Sequence, residues 1–204
     1  MNEHEFAEIL ARGRELRGVE HKGPGLRTSR PFLARVARAV MGMANLRDGG
    51  LVSIGVGDDD GKPVVQGLNA EQLESWERYD HVTASIGEFV QPNVSFEHEV
   101  FPYKGIKLVL LRVHDFDEIP ILCARDCADE KGPPIVRRGA LYVRPRRNTE
   151  TAEVPTQEEM REILDLAVEK GVRRFIALTS GLGFKIAAAP DDDARYDREL
   201  QDWK

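Results

Sequence analysis

Apolar residues recur at helical intervals in several stretches of the chain, with β-rich runs between them. Over residues 3–16, Phe6, Ile9, Leu10 and Leu16 share a helical face, with Gly13 a weak point and Gly18 an end. Val19–Lys22 reads as a short strand and Gly23-Pro24-Gly25 as a loop. Ser29 followed by Pro31 marks a helix start, because proline in a first turn forfeits no hydrogen bond. Phe32, Leu33, Val36, Ala37, Val40, Met41 and Ala44 continue on one face, and Asn45 to Gly50 ends that helix through residues that tolerate left-handed backbone.

Leu51–Gly57 is a near-continuous apolar run, which predicts a strand covered on both faces. Asp59-Asp60-Gly61-Lys62 is a turn and Pro63–Leu68 a returning strand, so this region is a hairpin. Residues 70–90 carry Leu73, Trp76, Val82, Ile86 and Phe89 and predict a further helix. Val94–Tyr103 alternates and Ile106–Val113 is apolar; the short link through Lys104-Gly105 makes them an antiparallel pair. Ile119–Cys123 and Ala140–Arg144 are further strands, and Thr156 with Glu159 resembles a capping box opening a helix to about Lys170. The order of elements predicts an α/β (α+β) fold, a mixed β-sheet flanked by helices.

That domain is expected over residues 1–170, with 171–204 as a C-terminal extension. Arg173–Ala189 holds Phe175, Ile176, Leu178, Leu182, Phe184 and Ile186, consistent with a strand pair packed in the core or with a docking or dimerisation segment. Pro190–Lys204 is a charged helix or tail.

Composition narrows the function. The net charge of −6 supplies no global field for a polyanion, so nucleic acid would have to meet a local basic face. Two cysteines are too few for a disulfide framework and fit a reducing cytoplasm. The start Met1-Asn-Glu-His-Glu-Phe lacks the marks of a signal peptide, and no apolar run reaches the ~18 residues of a membrane span.

Candidate chemistry lies in three acidic residues, Glu15, Glu20 and Asp58, with Lys22 beside them. Convergent carboxylates can hold a hard cation against a phosphate, and a lysine there steadies developing charge. Glu20 and Lys22 lie two apart on a strand and so share a face. The plainer alternative makes Glu20 and Lys22 an ion pair, Glu15 solvated and Asp58 a turn residue. The densest basic group is Arg137-Arg138 with Arg144, Arg146 and Arg147; Tyr142 shares strand parity with Arg138 and Arg144, predicting one face with two arginines and a ring. A second group is Lys22, Arg27, Arg30, Arg35 and Arg38. Gly55-x-Gly57-x-x-x-Gly61 lacks dinucleotide-binding spacing, and Gly61-Lys62 precedes Pro63 rather than Ser or Thr, so no ATP site is expected. Cys123-x3-Cys127 with His114 makes an incomplete zinc set, and free thiols are expected.

Glu15-x4-Glu20-x-Lys22, Ala44-Asn45 before Gly49-Gly50, Ile54-Gly55-Val56 before Asp58, and Gly67 together resemble the Schlafen-type AlbA_2 domain. Tyr142-Val143-Arg144 followed by Asn148-Thr149 and Thr151-Ala152 is similar to that family's closing strand and loop. One departure is His21 where an aromatic is usual. The resemblance implies a metal-dependent ribonuclease site for Mg²⁺ or Mn²⁺, with Glu15, Glu20 and Asp58 as ligands. It implies structured RNA such as tRNA as substrate, in stress or antiviral (anti-phage) defence. It further implies a homodimer, since Schlafen cores set two lobes around a groove and this chain has one. The alternative is a non-catalytic nucleic-acid-binding or regulatory module.

Overall fold

The apolar run at 51–57 is two strands rather than one, and the break between them places the acidic hairpin. The computed structural model of the chain describes residues 1–12, 16–129, 132–146 and 150–181. It divides into two units, Met1–Ala167 and Val168–Lys204.

The first unit opens with helix α1 (Glu3–Arg12), strand β1 (Val19–Lys22) and helix α2 (Arg30–Ala44). Next come β2 (Gly50–Ile54), β3 (Val56–Asp59), β4 (Lys62–Val65), α3 (Ala70–Glu77) and α4 (Tyr79–Gly87). Then follow β5 (Val90–Gln91), β6 (Phe96–Tyr103), β7 (Ile106–Val113), β8 (Leu122–Cys123), β9 (Cys127–Ala128), β10 (Pro134–Val136), β11 (Tyr142–Val143) and β12 (Ala152–Glu153). Helix α5 (Gln157–Gly181) begins in this unit.

A four-stranded mixed sheet is ordered β1-β2-β7-β6. β1 runs parallel to β2, with Glu20 opposite Val52 and Lys22 opposite Ile54, while β2 with β7 and β7 with β6 are antiparallel. Alternation along β2 and β7 sends side chains to two apolar layers. Val52, Ile54, Val109 and Leu111 join Val36, Val40, Met41 and Ala44 of α2. Leu51, Leu108 and Leu110 join Phe6 of α1, whose ring meets Phe101 and Tyr103 edge-on at 5.3 and 5.2 Å. The expected two-sided cover of this strand is therefore present.

Three expectations are corrected. Gly55 takes a φ of +103°, reserved for glycine, so the chain leaves the sheet there and β3 pairs with β4 as a separate hairpin. The helix expected over 70–90 is two helices, because Arg78 is extended (φ −89°, ψ 114°) between them; Asn69 and Gln72 cap the start of the first reciprocally. The helix expected to stop near Lys170 runs to Gly181, so residues 173–181 are helical rather than a strand pair; residues 182–189 lie outside the described ones.

Asn45 fastens the end of α2. Its buried side chain donates to the carbonyls of Ile121 and Tyr142, each at 2.9 Å, and accepts from the Ile121 N–H at 2.8 Å.

Candidate active-site cleft

β1 is an edge strand, and its pairing register stands Glu20 and Lys22 on the same face as Val52 and Ile54, where α2 packs. The β3–β4 hairpin carries Asp58 to the same place. A cleft of about 270 Å³ is lined by Glu20, Lys22, Asp58, Arg38, Arg144 and Glu150, among others. Two of the three expected acidic residues thus share one cleft with the expected lysine. Glu15 lies outside the described residues.

Both Glu20 oxygens are engaged. Oε1 is 2.5 Å from Lys22 Nζ, and Oε2 accepts from Arg144 Nη1 at 2.9 Å and from the Thr151 hydroxyl. Burial alone would raise the Glu20 pKa; the charges of Lys22 and Arg144, with hydrogen bonds from Lys22 and Thr151, outweigh it and hold the carboxyl below its ordinary value. Asp58 Oδ1 accepts from the Gly61 N–H at 2.9 Å, which fixes its carboxylate at the hairpin turn. The ion pair and turn roles of the plainer alternative are both present, inside a shared cleft.

His21 points its Nδ1 to Ser53 Oγ at 2.6 Å. Burial first, and then the Arg144 charge, lower its pKa to about 4, so the ring is neutral at neutral pH. An aromatic at this position would fill the same space; the imidazole adds one polar contact.

Arg144 corrects the expected basic face. It is 2% exposed and spends its donors internally, on Glu20, on the Val19 carbonyl at 2.7 Å and on the Arg17 carbonyl at 2.9 Å. Arg17 answers by donating to the Arg144 carbonyl at 2.6 Å, and its other nitrogens hold Glu162 of α5 at 2.7 and 3.0 Å. Tyr142 is buried too, and its hydroxyl accepts from the Arg137 N–H at 2.9 Å. β11 is only two residues long, so the parity that grouped Arg138, Tyr142 and Arg144 does not extend to all three.

Arg138 and Arg146 are exposed, as is Arg137, which pairs with Glu153; Arg146 lies 3.4 Å from Glu162, and Arg147 is outside the described residues. In the second group, Arg27 is held by Ser75 and Ser85 and Arg35 by Asp129, whereas Arg38 reaches the cleft. Sequence reading missed Glu150 as a lining residue. Its one signal was its place immediately before Thr151-Ala152 in the closing loop.

The cleft sets Glu20, Asp58 and Glu150 against Lys22, Arg38 and Arg144, so its charges nearly cancel. Cys123 and Cys127 are buried free thiols. Among the described residues, no three His, Cys, Asp or Glu side chains are grouped to hold a metal ion, and no helix is long and apolar enough to cross a membrane.

A parallel edge strand bearing Glu20 and Lys22, a glycine break and an acidic hairpin thus form the cleft. The Schlafen AlbA_2 family matches residues 17–153, and the chain belongs to that family. Two solved structures are similar. One is the DIP2311 protein of Corynebacterium diphtheriae, at 19% identity and a TM-score of 0.45, over 72% of this chain and 23% of that one. The other is the N-terminal domain of a RecG-related protein of Nitrosomonas europaea, at 18% identity and a TM-score of 0.46, over 68% of this chain and 88% of that one. The chain therefore spans under a quarter of the DIP2311 protein. No curated protein matches it.

Proposed function

We propose that this domain binds nucleic acid and acts on its phosphodiester backbone at the cleft, as a Schlafen-type endoribonuclease for structured RNA such as tRNA. The observation that supports this reading most directly is that Glu20 and Asp58, from separate elements, line one cleft with Lys22. Lys22 and Arg38 would meet phosphate oxygens there, and the exposed Arg138 and Arg146 would add backbone contacts. Lys22, Arg144 and Thr151 hold Glu20 ionised, so it presents fixed negative charge.

The expected Mg²⁺ or Mn²⁺ is not accommodated by the described side chains alone. Lys22, Arg144 and Thr151 already occupy the Glu20 oxygens, and no acidic trio is close enough to hold an ion among these residues. This engagement favours a second reading, a non-catalytic nucleic-acid-binding or regulatory module that uses the same cleft. It needs no cation, and Asp58 would be dispensable.

Purified protein with tRNA, in Mn²⁺ or in EDTA, separates the two. Cleavage that disappears in EDTA and in Asp58→Asn establishes the nuclease. Binding that persists in EDTA, weakens in Lys22→Met and ignores Asp58→Asn establishes the binding module. In either case affinity should fall steeply with salt. Protein that neither binds nor cuts removes both readings.

A further inference from the structure

The second unit contains a helical face that nothing in the described chain covers. Val168, Val172, Phe175, Ile176 and Leu178 of α5 are each between 44% and 65% exposed. At about 100° per residue they fall within roughly 160° of the helix circumference, and Glu169, Lys170, Arg173 and Arg174 occupy the remaining arc. Gly171 sits at the edge of the apolar face. Glycine inside a helix is destabilising, yet a Cβ there would meet nothing within 4 Å, so no contact among the described residues requires it.

We propose that this face pairs with the same face of a second copy, the two helices antiparallel about a two-fold axis. Phe175 of one copy then lies over Gly171 of the other, where the missing side chain leaves room for the ring. The same midpoint along the helix sets Val168 against Leu178, so one register satisfies both pairs. A two-fold contact is self-complementary, which is what a large residue beside a small one on a single face provides. The segment 182–189, with Leu182, Phe184 and Ile186, is the competing occupant, and wild-type protein that stays monomeric would favour it. Five half-exposed side chains bury on the order of 400 Å² per copy, about half of a standard interface, so the pair is a weak one.

Sedimentation velocity of the whole chain from about 1 to about 100 µM tests this. The expected result is a doubling of mass across that range. Phe175→Glu should weaken the dimer at least about tenfold, with the fold retained by circular dichroism. Gly171→Leu should weaken it as well, although it adds apolar surface and strengthens the helix. Three outcomes overturn the proposal: wild-type protein that stays monomeric throughout, a dimer indifferent to Phe175→Glu, or tighter association in Gly171→Leu. The last would mean unspecific adhesion of exposed apolar groups.

Discussion

Arg144 donates from Nη1 to Glu20 Oε2 at 2.9 Å across 124 positions of sequence, and both side chains are buried. The pair joins the first strand to the closing segment of the domain. A cleft carboxylate is thereby also part of what holds the fold, so loss of activity in a Glu20 variant would not by itself assign Glu20 a chemical role.

Removing Arg144 takes one of two cations from the buried Glu20 carboxylate and leaves the Val19 and Arg17 carbonyls without its donors. Arg144→Met should lower unfolding stability in urea by about 3–5 kcal/mol. The double variant Glu20→Gln with Arg144→Met should cost clearly less than the sum of the single changes. Additive costs would mean that the two side chains act independently.

Acid should act in two windows. His21 is neutral in the fold with a pKa of about 4, against 6.5 when unfolded, so unfolded chain gains protons first as pH falls. Stability from this group is complete above pH 6.5 and declines toward pH 4, at up to about 1.4 kcal/mol per pH unit. Glu20, held below its ordinary 4.5, contributes stability above that pH and loses it as acid titrates it below. Urea midpoints against pH should show both declines, and His21→Gln should shrink the upper one to the part that His98, also held below 6.5 by burial, contributes.

Asn45 makes three hydrogen bonds with its side-chain amide, two as donor and one as acceptor. Asn45→Asp removes both donors and adds a buried charge. We expect a loss of roughly 2–4 kcal/mol by chemical denaturation, and Asn45→Ala should cost about as much.

Gly49 takes a φ of +70°, and a Cβ there would lie 2.0 Å from the Val113 carbonyl oxygen. Gly49→Ala therefore forces the β2–β7 pairing apart where α2 hands over to the sheet. Thermal melting should fall by several degrees, about 1–3 kcal/mol. An unchanged melting temperature would show that the turn can relax.

Local periodicity located most elements: the alternation of β6 records one buried face, and the unbroken apolar run of β7 records burial on both. What local pattern could not convey was the breaks. Gly55 and Arg78 interrupt apolar runs by backbone conformation, which leaves the hydrophobic spacing intact on both sides. At the cleft, Glu20, Lys22 and Asp58 were legible from spacing and family resemblance. Arg144 was misplaced on a solvent face, since strand parity says which residues share a side and not whether that side meets water. Its true partner lies at the other end of the chain, and nothing nearby in sequence announces it. Glu150 escaped for the same reason.

Glu162 grips Arg17 with two nitrogen–oxygen contacts, Arg17 and Arg144 each donate from Nε to the other's carbonyl, and Arg144 braces Glu20. Recognisable ancestry stops at residue 153, but the brace starts beyond it, on a helix that ancestry does not outline. Protein cut at that inherited edge would retain every hallmark of its kin and still slacken around the carboxylate. The segment that braces the cleft thus runs past the family match at residue 153, as far as Glu162.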